Sequence, residues 1–216
     1  VVDEDELRAI AALAVENDFL VLSDEIYEHL IYGRKHVSIA SFGPEIQQRT
    51  LLVNGFSKAY SMTGWRLGWL AGDAEIVAAM GRIQDQSTSN PTSFAQVGGV
   101  AALRGPQDCV EKMRAAFEQR RDVIVNRLNR IPGVSCVNPD GAFYVLPNVS
   151  GLTSPAYPDG DAITEYLLAN ANVAVVPGSG FGVPNNIRLS YATSMECIEK
   201  GMDRIEAAAA ELAKER

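Results

Sequence analysis

Cysteine is scarce in this sequence: its 216 residues hold three, Cys109, Cys136 and Cys197. They are too far apart, and odd in number, for a disulfide framework or a C-x-x-C metal or redox site. They read as packing residues in a reducing compartment. Basic charge is also outweighed, with a formal net charge of −8 and a pI near 4.8. No positive field exists to draw nucleic-acid phosphates or anionic lipid, so neither partner is expected. No apolar run approaches the roughly 18 residues that span a bilayer. The opening VVDEDELRAI is acidic where a secretory signal is basic, which makes the cytoplasm the expected location. Histidine is limited to His29 and His36, for which the sequence offers no partner set for metal or triad chemistry. A loop or packing role is expected for both, and no metal site.

What is present is an ordinary globular composition, 47% hydrophobic and 21% charged. The opening DEDELRAIAALAVEN carries Leu7, Ile10, Ala11, Leu13 and Ala14 at helical spacing, with acidic residues in its first turn. FLVLS at 19–23 is a short apolar run of the kind buried on both faces of a parallel sheet, and Asp24 ends it. A second run, TLLVNG at 50–55, leads into Phe56, Ser57 and Lys58. A third, RLGWLAG at 66–72, precedes a helix predicted to start at Asp73. A helical pattern runs from Pro91 through Leu103, and Gly105-Pro106 breaks it before the long amphipathic segment 108–131. A domain boundary is therefore expected near Gly105, giving regions 1–104 and 105–216. The second region reads as a smaller α+β unit: strand candidate GAFYVLPNV, helix DAITEYLLANA, short strands VAVVP and NIRLSYA, and a closing helix from Ser194. Strands alternating with helices in the first region imply an α/β sheet.

In open α/β sheets, ligands bind beyond the carboxyl ends of the strands, and Asp24 and Lys58 are both expected there. Placement alone leaves open whether they form a site or are strand-end surface residues. The words around them decide more. DEIYEHLIY, then NGFSKAYSMTGWRLGWLAG, then NIRLSY resemble, in order along the whole chain, the active-site core of the class I and II aminotransferases of the aspartate aminotransferase superfamily. The resemblance implies pyridoxal 5′-phosphate as cofactor and the C-terminal part of the fold type I architecture. That means a mostly parallel sheet of the large domain plus a small α+β domain.

It also implies roles that suit the residue types. Lys58 resembles the lysine whose amine forms a Schiff base with the cofactor aldehyde and later moves the substrate's α-proton. Asp24 matches the aspartate that faces the pyridine nitrogen and favours its charged form. Tyr27 is similar to the tyrosine that bonds the cofactor's ring oxygen. Arg66, in G-W-R, resembles a phosphate ligand, and Arg188, in N-I-R-L-S-Y, the arginine that clamps the substrate α-carboxylate. Ser57 is a further candidate phosphate donor, although many relatives place a serine three residues before the lysine, where this chain has Gly55. Ser89 either approaches a neighbouring subunit's cofactor or is an ordinary helix N-terminal residue.

The resemblance implies transfer of an amino group between an amino acid and a 2-oxo acid by a homodimer. A carbon–sulfur lyase on the same scaffold and a non-catalytic fragment stay open beside it. Asp85 stands where animal-type aspartate enzymes carry an arginine for the side-chain carboxylate, so that route to dicarboxylate selectivity is not expected. The chain is also expected to be N-terminally incomplete, and inactive by itself, because about 400 residues is the family's usual length.

Overall fold

In a computed structural model, which describes residues 1–214, the chain divides into two compact units, Val1–Arg114 and Ala115–Arg216. The division falls inside a long helix rather than at the Gly105-Pro106 break that the sequence marks.

The first unit opens with α1 (Glu4–Glu16), whose first turn carries Glu4, Asp5 and Glu6. The Glu6 side chain accepts a hydrogen bond from the Asp3 N–H, and the carboxylates complement the positive end of the helix dipole. Ala11 and Ala14 of α1 pack with Ile39 and with Ile46 of α2 (Pro44–Arg49) to form a small core. The proline at the first position of α2 fits because its missing N–H has no intrahelical partner there. Beside this core lies a sheet of β1 (Val21–Asp24), β2 (Thr50–Gly55) and β3 (Gly68–Ala71), in that order. β1 and β2 are parallel, with Asp24 opposite Val53. β3 returns antiparallel to β2, with Gly55 opposite Gly68, so the sheet is mixed in these three strands. The expectation that 19–23 is buried on both faces is corrected: only Val21 joins the core, and Leu22 is 69% exposed. α3 (Ala74–Ser87) starts where Asp73 accepts the N–H groups of Glu75 and Ile76, as the sequence predicts. α4 (Ser93–Arg104) and the start of α5 (Asp108–Leu128) complete the unit.

The second unit holds the rest of α5, then β4 (Tyr144–Val145), α6 (Gly160–Ala171), β5 (Val176–Pro177), β6 (Ile187–Ser190) and α7 (Met195–Leu212). Its sheet is antiparallel in the order β4-β6-β5. The strand candidate GAFYVLPNV narrows to two residues: Pro147 has no N–H for a ladder, and pairing with the chain of β6 resumes only as an isolated bridge between Asn148 and Asn186. α7 buries Ile198, Met202, Ile205, Ala209 and Leu212, spaced three and four apart as one apolar stripe requires. Ile124, Leu128, Val145 and Ile163 are buried in the same unit. Arg127 of α5 bonds Glu206 at 2.8 Å and Asp203 at 2.7 Å, joining α5 to α7 outside that core.

Candidate active site

The turn after β1 and the turn after β2 begin at neighbouring strand ends, because the two strands are parallel. Glu25 extends the pairing by donating its N–H to the Val53 carbonyl at 2.9 Å. Asp24, the last residue of β1, is exposed, and its Oδ1 accepts the Ile26 N–H at 3.2 Å, tightening the turn. Tyr27 follows within this turn and is half-buried. The half-buried Lys58 lies in the turn after β2, with its Nζ 5.7 Å from the centre of the Tyr27 ring. An ammonium at that range from an aromatic face is attracted to the ring's negative quadrupole. Two residues far apart in sequence are thus brought near one another by strand pairing.

Ser57 is half-buried beside Lys58. At Gly55 a Cβ would stand 3.0 Å from both the Gly68 Cα and the Leu67 carbonyl, and 3.3 Å from Ile26 Cδ1. β2 and β3 approach so closely there that a side chain three residues before the lysine would need its neighbours to give by a few tenths of an ångström. Arg66 holds a left-handed backbone at φ 54° after the short helical turn Thr63–Trp65. Its exposed side chain donates to the Thr63 carbonyl at 2.9 Å. Ser89 is corrected on one reading: it follows α3 in a left-handed conformation, φ 59°, and donates its N–H to Gln84, so it ends a helix rather than starting one. Asp85 is exposed near the end of α3.

Arg188 belongs to the second unit, in the middle of the central strand β6. Its guanidinium lies over two aromatic rings, Tyr144 at 4.7 Å and Phe181 at 4.5 Å. Among the described residues no carboxylate pairs with it. A half-buried guanidinium stacked on rings keeps planar N–H donors with which it can meet a carboxylate.

Several polar residues escaped the sequence reading. Glu25 is 7% exposed and accepts from Ser23, Ser38 and His36, the last at 2.6 Å, a partner for His36 that the sequence did not announce. Ligand-capable atoms of Glu25, Glu28 and His36 lie within 4.8 Å of one another. Both oxygens of Glu25 are bonded, Oε1 to Ser23 and Ser38 and Oε2 to His36, while Glu28 is bonded by Asn54. Asn54 is 6% exposed at the end of β2 and bonds Glu28 at 2.6 Å. Its signal was readable: an amide inside an otherwise apolar strand needs a partner. Tyr60, which donates its hydroxyl to Gln107 Oε1 at 3.0 Å, has its pKa raised by burial first and by the nearby Cys109 and Glu28 second.

Comparison with known proteins matches the family described as aminotransferase class I and II over residues 1–205. An aspartate aminotransferase of Bacillus subtilis is 50% identical over 204 residues, covering 94% of this chain and 52% of that protein. The solved aspartate aminotransferase of Rhizobium meliloti superposes with a TM-score of 0.92 at 39% identity, over 97% of this chain and 55% of that one. An aromatic aminotransferase from Pyrococcus horikoshii gives the same score and identity over 98% of this chain and 56% of its own. The chain therefore spans about half the length of the relatives it matches. Among the described residues no helix is long and apolar enough to cross a membrane.

Proposed function

The chain belongs to the class I and II aminotransferases, and from that premise we propose that it supplies the lysine-bearing wall of a pyridoxal-phosphate-dependent aminotransferase. The reaction moves an amino group between an amino acid and a 2-oxo acid. The observation that carries this reading is the approach of Lys58 Nζ to the Tyr27 ring, 5.7 Å from its centre, at the carboxyl ends of two parallel strands.

The donor set fits the cofactor. Lys58 offers an amine for its aldehyde, Tyr27 a phenol, Asp24 a carboxylate for its pyridine nitrogen, and Ser57 and Arg66 a hydroxyl and a guanidinium for its phosphate. Bound pyridoxal phosphate supplies an electron sink for the bond broken at the substrate's α-carbon.

The chain's own residues do the remaining work. With the cofactor bound, the Lys58 amine would be the base that takes and gives back the substrate's α-proton. The Asp24 carboxylate, an opposite charge, favours a protonated ring nitrogen. The planar Arg188 guanidinium, on the second unit, would offer the α-carboxylate a bidentate fork. In this reading residues 1–104 are part of the large cofactor domain and 105–216 are the small domain. The whole protein works as a homodimer.

Borohydride reduction of the cofactor-loaded whole protein tests the assignment. A pyridoxyl label is expected at Lys58 alone, and mapping it to any other lysine would overturn the reading. Product analysis with a panel of amino acids and 2-oxo acids then tests the reaction class: amino-group exchange is expected, and release of a sulfur leaving group instead would replace it with lyase chemistry.

A further inference from the structure

Between the turns that carry Tyr27 and Lys58 runs a buried polar contact with no part in the roles above. Asn54 is the last residue but one of β2, a strand otherwise built of Thr50, three aliphatic residues and Gly55. Its amide works at both ends. Nδ2 donates to Glu28 Oε1 at 2.6 Å, and Oδ1 accepts the Gly55 N–H at 2.7 Å. Glu28 directly follows Tyr27, and Gly55 opens the segment that leads to Lys58. On the other flank of Tyr27, Glu25 is held by Ser23 at 3.1 Å, Ser38 at 2.7 Å and His36 at 2.6 Å. The Tyr27 turn is therefore fastened twice, once to its own strand and the following loop through Glu25, and once to the lysine strand through Glu28.

We propose that Glu28 and Asn54 are a positioning pair that locks the Tyr27 turn to the Lys58 turn and so sets the stance of the phenol towards the amine. This rests on the reading of Lys58 as the cofactor lysine. The residue types argue for it. An aliphatic residue at 54 would serve the strand as well, and an amide buried there costs free energy unless its groups are bonded. A lysine at 54 would also hold the Glu28 carboxylate, but it would bring a second cation to the strand that leads to Lys58. An amide holds the carboxylate with a charge-assisted hydrogen bond and adds no charge of its own.

The test exchanges the polarity of the bond in the cofactor-loaded whole protein. Asn54→Asp keeps the shape and the acceptor for the Gly55 N–H, but sets a carboxylate against Glu28. Because a misplacement of about 1 Å costs up to about a hundredfold in rate, kcat is expected to fall at least about tenfold, with KM for the amino acid within about twofold. The induced circular dichroism of the cofactor's visible band, per bound cofactor, is expected to fall by about half, since it reports how the ring is held within its chiral site. Adding Glu28→Gln restores the hydrogen bond with donor and acceptor exchanged, and both readouts should return to within about twofold of the original.

Should Asn54→Asp not fold, Glu28→Ala at its half-buried turn position is expected to give the same loss of circular dichroism. An unchanged band in whichever variant folds, or failure of Glu28→Gln to rescue, overturns the positioning pair. Absence of a pyridoxyl label at Lys58 in the unaltered protein would instead overturn the reading on which it rests.

Discussion

The guanidinium of Arg188 lies 4.5 Å from the centre of the Phe181 ring, and Tyr144 adds a second ring at 4.7 Å. Stacking of this kind suits a flat, delocalised cation and not a compact ammonium. Arg188→Lys is therefore expected to lose both the stacked geometry and the bidentate fork. A charge-assisted hydrogen bond is worth about 1.5–3 kcal/mol, so KM for the amino acid should rise about tenfold or more, with cofactor affinity little changed. Steady-state kinetics beside a cofactor titration checks this, and equal loss of both would make Arg188 a structural residue.

Lys58→Arg separates fold from chemistry. The substitution keeps a cation for the Tyr27 ring, an interaction worth only about 0.5–1 kcal/mol at partly exposed sites, so thermal stability should hardly move. Turnover should fall by at least about a thousandfold, because a guanidinium neither attaches to the aldehyde nor accepts a proton near neutral pH. Residual turnover above about a tenth of the original would mean that another group moves the proton.

How far the sequence could be read follows from what each element depends on. Asp73, Ser194 and the acidic first turn of α1 announce helix starts through contacts with their nearest neighbours in the chain, and all three stand where the pattern puts them. The places of Lys58 after β2 and Tyr27 after β1 were legible because their motifs are local, and parallel pairing of the two strands brings them near one another. Contacts made across the chain were not legible. His36 reaches Glu25 and Asn54 reaches Glu28 only after the turns have formed, and no spacing rule announces either. The antiparallel direction of β3 was not legible either, since an apolar run carries no record of its direction. Leu22 misled because hydrophobicity marks a face for burial without saying what covers it.

The three thiols should differ sharply in reactivity. Cys136 is buried, and desolvation pushes its thiol up to about 11 from an ordinary 9.0, against a smaller lowering by a backbone hydrogen bond at Leu146. Cys197 is exposed, and hydrogen bonding to Ser194 and then Thr193 holds its thiol below the usual range. Near pH 8 a disulfide reagent should modify Cys197 first, and Cys136 only after unfolding. The raised thiol also fixes the sign of a pH effect. The unfolded chain begins to release this proton near pH 9 while the folded chain holds it to about 11, so stability is full below 9 and falls through that window. The loss is on the order of 2 kcal/mol. The stability gap between the unaltered protein and Cys136→Ala should accordingly narrow from pH 8 to 11, and a constant gap would mean that the thiol ionises alike in both states.

The last prediction concerns a polypeptide of these 216 residues by itself, which is expected to be unevenly stable and without turnover. Most of the large apolar side chains that stand exposed belong to the first unit: Leu22 on β1, Trp69 on β3, Ile83 on α3, and Phe94, Val97 and Leu103 on α4. α3 buries none of its residues, and α4 buries only Ala95 and Gly99. An apolar surface of that extent favours association with another chain or mobility of the elements that carry it. The second unit instead closes around Ile124, Leu128, Val145, Ile163, Ile187, Met202, Ile205 and Leu212. Hydrogen exchange should therefore be slowest in β6 and α7 and fast in β3, α3 and α4. Lys58 and Tyr27 belong to the less protected unit, and a cofactor held there against one wall is free to shift by the roughly 1 Å that costs about a hundredfold in rate. Uniform protection across both units, or steady exchange of amino groups by the purified polypeptide with no second fragment detectable by mass spectrometry, would show that the first unit holds its site without further cover.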